Sequence, residues 1–158
     1  MLDTSGNTVF TNELTILEWS SALAKAVRQK RMKASAYQKN EGALFTDISA
    51  RQLRVFKGTR LLERARNLIY FVGVMNRRKI TSVDAVHIVS AIELSSQFKT
   101  SFEFVTSDER LHDVIKTLDI FKPHLNSTYL EQEPGGRVRR EFGRRGQIFY
   151  PHLPTGKK

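Results

Sequence analysis

Residues 80–111 read ITSVDAVHIVSAIELSSQFKTSFEFVTSDERL, and the order of elements within them decides the fold. Thr81 stands three positions before Asp84, the spacing at which a helix-opening hydroxyl and a first-turn acid cap each other's backbone. Val83, Val86, Val89 and Ile92 then recur at helical spacing. FEFV at 102–105 is a short apolar run of the kind buried in a parallel sheet, and Ser107 is placed to cap a helix starting at Glu109. The stretch therefore predicts helix, strand, helix.

Upstream, TVFT at 8–11 predicts a brief strand after the Gly6-Asn7 turn signal. It feeds a helix over about 13–31, with Thr11 or Asn12 as N-cap and Leu14, Leu17, Ser21, Ala24 and Val27 as its inner stripe. Lys25, Arg28, Lys30 and Arg31 suit the negative end of that helix dipole. A second helix is expected after Gly42 through Leu44, Ile48, Leu53 and Phe56, and a third over 60–77, with Gly58 between them. Downstream, a strand is expected near Ile120 and Phe121. Beyond Pro134, glycine and arginine dominate and predict disorder. The alternation gives the α/β class, a parallel sheet with crossover helices.

The 158 residues fit one domain, expected over 1–133, with 134–158 as a basic tail. A hydrophobic share of 40% and a charged share of 27% are those of a soluble chain, and no apolar run approaches a membrane span. Without a leader pattern at Met1, a cytoplasmic location is expected. There are no cysteines, so a metal would be held by oxygen or imidazole. The net charge of +10 favours a polyanionic partner, and Arg137, Arg139, Arg140, Arg144, Arg145, Lys157 and Lys158 against Glu141 place +6 of it in the tail.

Three acids stand where a carboxylate is out of pattern or at a strand end: Glu18, Asp84 and Asp108. Glu18 falls inside the apolar stripe of its helix, where an unpaired carboxylate is costly. Asp84 opens the apolar helix. Asp108 follows the strand at 102–105 by three residues, at the carboxyl edge where parallel sheets bind ligands. Each alone has a structural reading, as helix cap, dipole partner or turn residue.

TxxEWSSAL at 15–23, SVDAVHIVSA at 82–91 and FVTSDERL at 104–111, taken together, resemble the PIN-domain ribonucleases of the VapC toxin type. The resemblance spans about residues 8–119. It implies a three-layer PIN-like fold with a parallel sheet flanked by helices, and it implies Glu18, Asp84 and Asp108 as catalytic metal ligands for Mg²⁺ or Mn²⁺. Hard divalent ions take oxygen ligands, and such an ion activates water and offsets charge on a phosphodiester. The three carboxylates are expected to cluster, within about 4 to 7 Å. RNA is the implied substrate and an antitoxin protein the implied partner. Thr106 or Ser107 could serve a carboxylate or phosphate, with Ser107 as helix cap the competing reading. His87, among Val86, Ile88 and Val89, reads as a satisfied core histidine, and Trp19 as packing rather than base stacking.

The chain departs from the family pattern at its start. The family opens with an apolar strand ending in Asp, followed by a helix before the acid at Glu18. MLDTS at 1–5 offers Asp3 for that role, but the span to Glu18 is too short for the intervening helix. The preferred alternative makes Asp3 a turn residue and leaves the first strand and its Asp missing. The sheet would then lack its centre, which a partner, including a second copy in a homodimer, could complete. With three acids instead of four, the chain is expected to bind the ion weakly and to cleave RNA slowly or not at all. The competing functional readings are an impaired PIN-like module that binds RNA or antitoxin without turnover, and a basic DNA-binding protein suggested by Arg77, Arg78, Lys79 and the tail. No helix-turn-helix spacing or zinc motif supports the latter. Nor does a phosphate-binding glycine loop, HExxH or GxSxG motif point to another enzyme class.

Overall fold

The computed structural model describes residues 8–50, 53–58, 60–129 and 147–149. Its sheet is wholly parallel, in the order β2-β1-β5-β3-β4, from β1 (Thr8–Asn12), β2 (Leu53–Phe56), β3 (Phe102–Thr106), β4 (Leu125–Tyr129) and β5 (Gln147–Phe149). Five α-helices accompany it among the described residues: α1 (Glu13–Arg28), α2 (Ala34–Ser49), α3 (Leu61–Ile69), α4 (Ser82–Phe98) and α5 (Glu109–Thr117). The expected mixed α/β class with parallel strands is what forms.

Alternation along the strands divides the core in two, because successive side chains leave a strand on opposite faces. Phe10, Phe102 and Phe104 join Leu68 of α3, Ile88 and Leu94 of α4, and Leu111 and Ile115 of α5 in one cluster. Val9, Leu53 and Val105 meet Leu44 of α2, with Ile16, Trp19 and Ile48 packed against them, in the other. So α1 and α2 cover one face of the sheet and α3, α4 and α5 the other. Phe10, Phe98 and Phe102 stack edge-to-face, with centroids 5.5 to 6.0 Å apart, the offset geometry that ring quadrupoles favour.

Helix α4 is buried on nearly every side, at Ala85, His87, Ile88, Val89, Ala91 and Leu94 among others, so its sequence is apolar all round instead of striped. Its capping box forms as the spacing requires: Thr81 Oγ1 accepts from the Asp84 N–H at 3.2 Å, and Asp84 Oδ2 accepts from the Thr81 N–H at 3.0 Å. Asn12 caps α1, accepting from the Thr15 N–H at 3.2 Å.

Several expectations are corrected. Residues 53–56 form β2, where helical spacing through Leu53 and Phe56 had pointed to a continuing helix; α2 instead begins at Ala34 and ends at Ser49. A short β-rich run such as LRVF satisfies both periods, and pairing with β1 decides it. The inner side of α1 is Thr15, Ile16, Trp19 and Leu23, while Leu17, Ser21 and Ala24 face solvent; the sheet-facing cluster around Trp19 sets the helix's rotation. The third helix continues past α3 as a π-helical segment, Tyr70–Met75, in which the Asn76 N–H donates to Phe71 O at 3.1 Å. Residues 119–121 form a 3-10 turn, and the last strand before the tail is β4.

The centre of the sheet carries the largest difference. The expected gap between β1 and β3 is filled by β5, from inside the segment read as a disordered tail: Val9 pairs with Ile148, Phe10 and Phe104 with Phe149, and Glu103 with Ile148. An arginine- and glycine-rich composition masked three residues, QIF, of high strand propensity. The remainder of 134–158, like Asp3, lies outside the described residues. No helix among the described residues is long and apolar enough to cross a membrane.

Candidate functional site

All five strands run the same way, so their carboxyl ends form one edge, and the polar chemistry gathers there. Asp108 lies two residues beyond β3 and is the N-cap of α5, its Oδ1 accepting from the Leu111 N–H at 3.1 Å. Ser107, the expected cap, does not take that role, because Asp108 sits at the position whose side chain reaches back over the first turn. Thr106 Oγ1 accepts from the Asp108 N–H at 3.1 Å, which fixes the loop between β3 and α5.

Asp84 reaches the same place from the start of α4. One guanidinium nitrogen of Arg110 donates to Asp84 Oδ2 at 3.0 Å and to Asp108 Oδ2 at 2.9 Å. The two carboxylates are therefore no farther apart than those two distances laid end to end. Asp84 is the deeper, its side chain 6% exposed against 35% for Asp108 and 34% for Arg110. Burial pushes the Asp108 carboxyl up, but the hydrogen bonds from Arg110 and the Leu111 N–H, with the guanidinium charge, hold it below the usual carboxylate range. Its partner moves the other way: the hydrogen bond to Asp108 and the charges of both acids raise Arg110 above its ordinary value despite burial.

Glu18 arrives from α1 and meets α4 one turn farther along. Its Oε2 is 2.8 Å from His87 Nε2, and the His87 side chain is fully buried. The compensation that Glu18 requires in its helix is thus supplied by the imidazole, and His87 lies in the core with its Nε2 on Glu18. Asn12, at the end of β1, ties that strand to α4 by donating to Ser90 Oγ at 2.9 Å. Trp19 packs against the Val9 and Leu53 cluster, as expected for a packing residue.

The structure thus brings Asp84 and Asp108 together and places Glu18 on His87 beside them. Among the described residues no group of three or more His, Asp or Glu side chains is placed to share a metal ion. The donor set still fits one in part. Two carboxylate oxygens converge on a single cationic atom, and Arg110 stands in for the cation they could hold.

Arg110 is the residue sequence reasoning missed, although a signal was present. It occupies the second position of α5, where the positive end of the helix dipole disfavours a cation, so only a specific anionic partner explains it.

A cleft of about 440 Å³ opens at the ends of β1 and β2, with Asn12, Glu13, Phe56, Gly58, Arg60 and Val86 among its lining. Gly58 is closely approached there: a Cβ would stand 2.7 Å from the Leu61 side chain and 2.8 Å from the Phe56 ring, so those side chains would have to shift. Comparisons of the chain with protein-family models, with curated proteins and with solved structures find no match.

Proposed function

We propose that this chain is a metal-dependent endoribonuclease with a PIN-like fold, its ion held by Asp84 and Asp108. The observation that carries the reading is their convergence on one cationic atom at the carboxyl edge of a parallel sheet, where open α/β sheets bind ligands. The motifs around both acids support it, as does a net charge of +10 suited to a polyanion. Mg²⁺ or Mn²⁺ at this place would supply activation of water and offset of phosphate charge. The chain's own residues do the rest. The capping box fixes Asp84, the α5 cap fixes Asp108, and His87 anchors Glu18.

A second reading has one observation in its favour. The strand that fills the sheet centre, QIF, carries no acid, so the pair lacks the carboxylate that the PIN pattern sets there. An impaired module that binds RNA or an antitoxin protein without turnover follows from that. Prolonged incubation of total RNA with the protein and Mn²⁺, with and without chelator, separates the two. Slow cleavage that chelator stops and Asp84→Asn removes supports the nuclease; RNA binding with no cleavage supports the module. Cleavage that resists chelator or survives Asp84→Asn overturns the proposed site.

A further inference from the structure

Arg110 meets two acids with one nitrogen, and this has a consequence for ligand binding that rests on the reading of Asp84 and Asp108 as ion ligands. A guanidinium and a divalent cation cannot occupy the same point between the same two oxygens. Asp84 is buried, and in this conformation Arg110 supplies its counter-charge. Yet Arg110 is one-third exposed, stands in the first turn of α5 and is not among the buried residues of that helix, which are Leu111, Val114 and Ile115.

We propose that Arg110 is an internal counter-ion that keeps the carboxylate pair closed to divalent cations until a phosphodiester draws it away. A planar guanidinium matches a phosphate as well as it matches a carboxylate. Substrate arriving at the sheet edge therefore offers Arg110 a second anion, and its departure leaves two carboxylates whose lost counter-charge is replaced by the ion. Cation and phosphate binding are thereby coupled through one side chain. Each strengthens the other by the same factor, because linkage between two sites is reciprocal. The resting protein is held with the charge of its acids partly offset and its ion excluded.

The test is binding, with no turnover involved. Mn²⁺ affinity of the full chain is measured by electron paramagnetic resonance, alone and with a 2′-O-methyl RNA oligonucleotide that cannot be cleaved, after subtraction of Mn²⁺ bound by the oligonucleotide itself. Wild-type protein is expected to bind Mn²⁺ weakly alone and about 5- to 150-fold more tightly with the oligonucleotide, the usual span of coupling between sites. Oligonucleotide affinity, read by fluorescence anisotropy, should rise by the same factor with Mn²⁺. Arg110→Gln should bind Mn²⁺ tightly without the oligonucleotide and lose the coupling. If Arg110→Gln folds poorly, Arg110→Lys, which keeps the charge but loses the planar guanidinium that matches a phosphate, should shift both readings the same way by less. Equal Mn²⁺ affinity and intact coupling in Arg110→Gln would overturn the inference and leave the ion site standing. Mn²⁺ binding that Asp84→Asn leaves unchanged in both wild-type and Arg110→Gln backgrounds would overturn the ion site itself.

Discussion

Asp84 and Asp108 come from two different helix starts, yet both accept from one nitrogen of Arg110, at 3.0 and 2.9 Å. Each acid is also a cap: Asp84 closes the capping box of α4 and Asp108 opens α5. Structural and chemical roles are thus superimposed on the same carboxylates, and substitutions must be read with both in view. Asp108→Ala removes the α5 cap and should cost about 1 kcal/mol in urea denaturation. Asp108→Asn, which can still cap, should cost less. Equal losses in the two variants would show that the charge, and not the cap, carries the stability.

The pH dependence follows from the lowered Asp108 carboxyl. A depressed folded-state value means that the stabilisation is fully present above the unfolded value, near about 3.9, and is lost as pH falls through the lower folded value. Melting temperature should therefore drop on the acid side in wild type, and the drop should be shallower in Asp108→Asn. With both groups about one-third exposed, solvent screening keeps the effect small. Identical acid limbs in the two proteins would contradict the Arg110 pairing.

Glu18→Ala should destabilise the protein by about 1 to 3 kcal/mol, because it deletes a 2.8 Å contact to a fully buried ring. Glu18→Gln keeps a hydrogen-bonding group there and should recover most of that loss. A neutral Glu18→Ala in chemical denaturation would mean that His87 does not depend on it.

The sheet centre gives the sharpest departure from the sequence. Ile148→Pro removes an N–H from a strand paired on both sides, and should cost about 1 to 3 kcal/mol through the ladder hydrogen bond it deletes. Glutamine at Arg137, Arg139, Arg140, Arg144 and Arg145 should leave melting unchanged. It should lower the slope of log RNA affinity against log salt by roughly 0.7 for each phosphate the protein no longer neutralises. An unaltered melt in Ile148→Pro would restore the expectation that the whole segment from 134 onward is a tail without a part in folding.

The legible parts of this molecule were those whose signals are local. Thr81 and Asp84 announce a capping box by spacing alone, and FEFV announces a buried strand by composition alone; both form. What was not legible depends on partners distant in sequence. LRVF becomes β2 because β1 lies beside it, and QIF becomes β5 because β1 and β3 leave a place between them. At the site, the meeting of Asp84 with Asp108 was within reach of motif reasoning. The imidazole under Glu18 and the guanidinium between the other acids required the packing of α1 and α5 against α4.

Whether the place held by Arg110 is a cation site decides the rest. Crystals of the protein grown with Mn²⁺ and the 2′-O-methyl oligonucleotide, with data collected at the manganese absorption edge, would locate the ion directly. The expected result is an anomalous peak within about 2.0 to 2.6 Å of oxygens of both Asp84 and Asp108, with Arg110 turned outward onto a phosphate. Arg110 still bridging the two acids, with manganese elsewhere or absent, would contradict it.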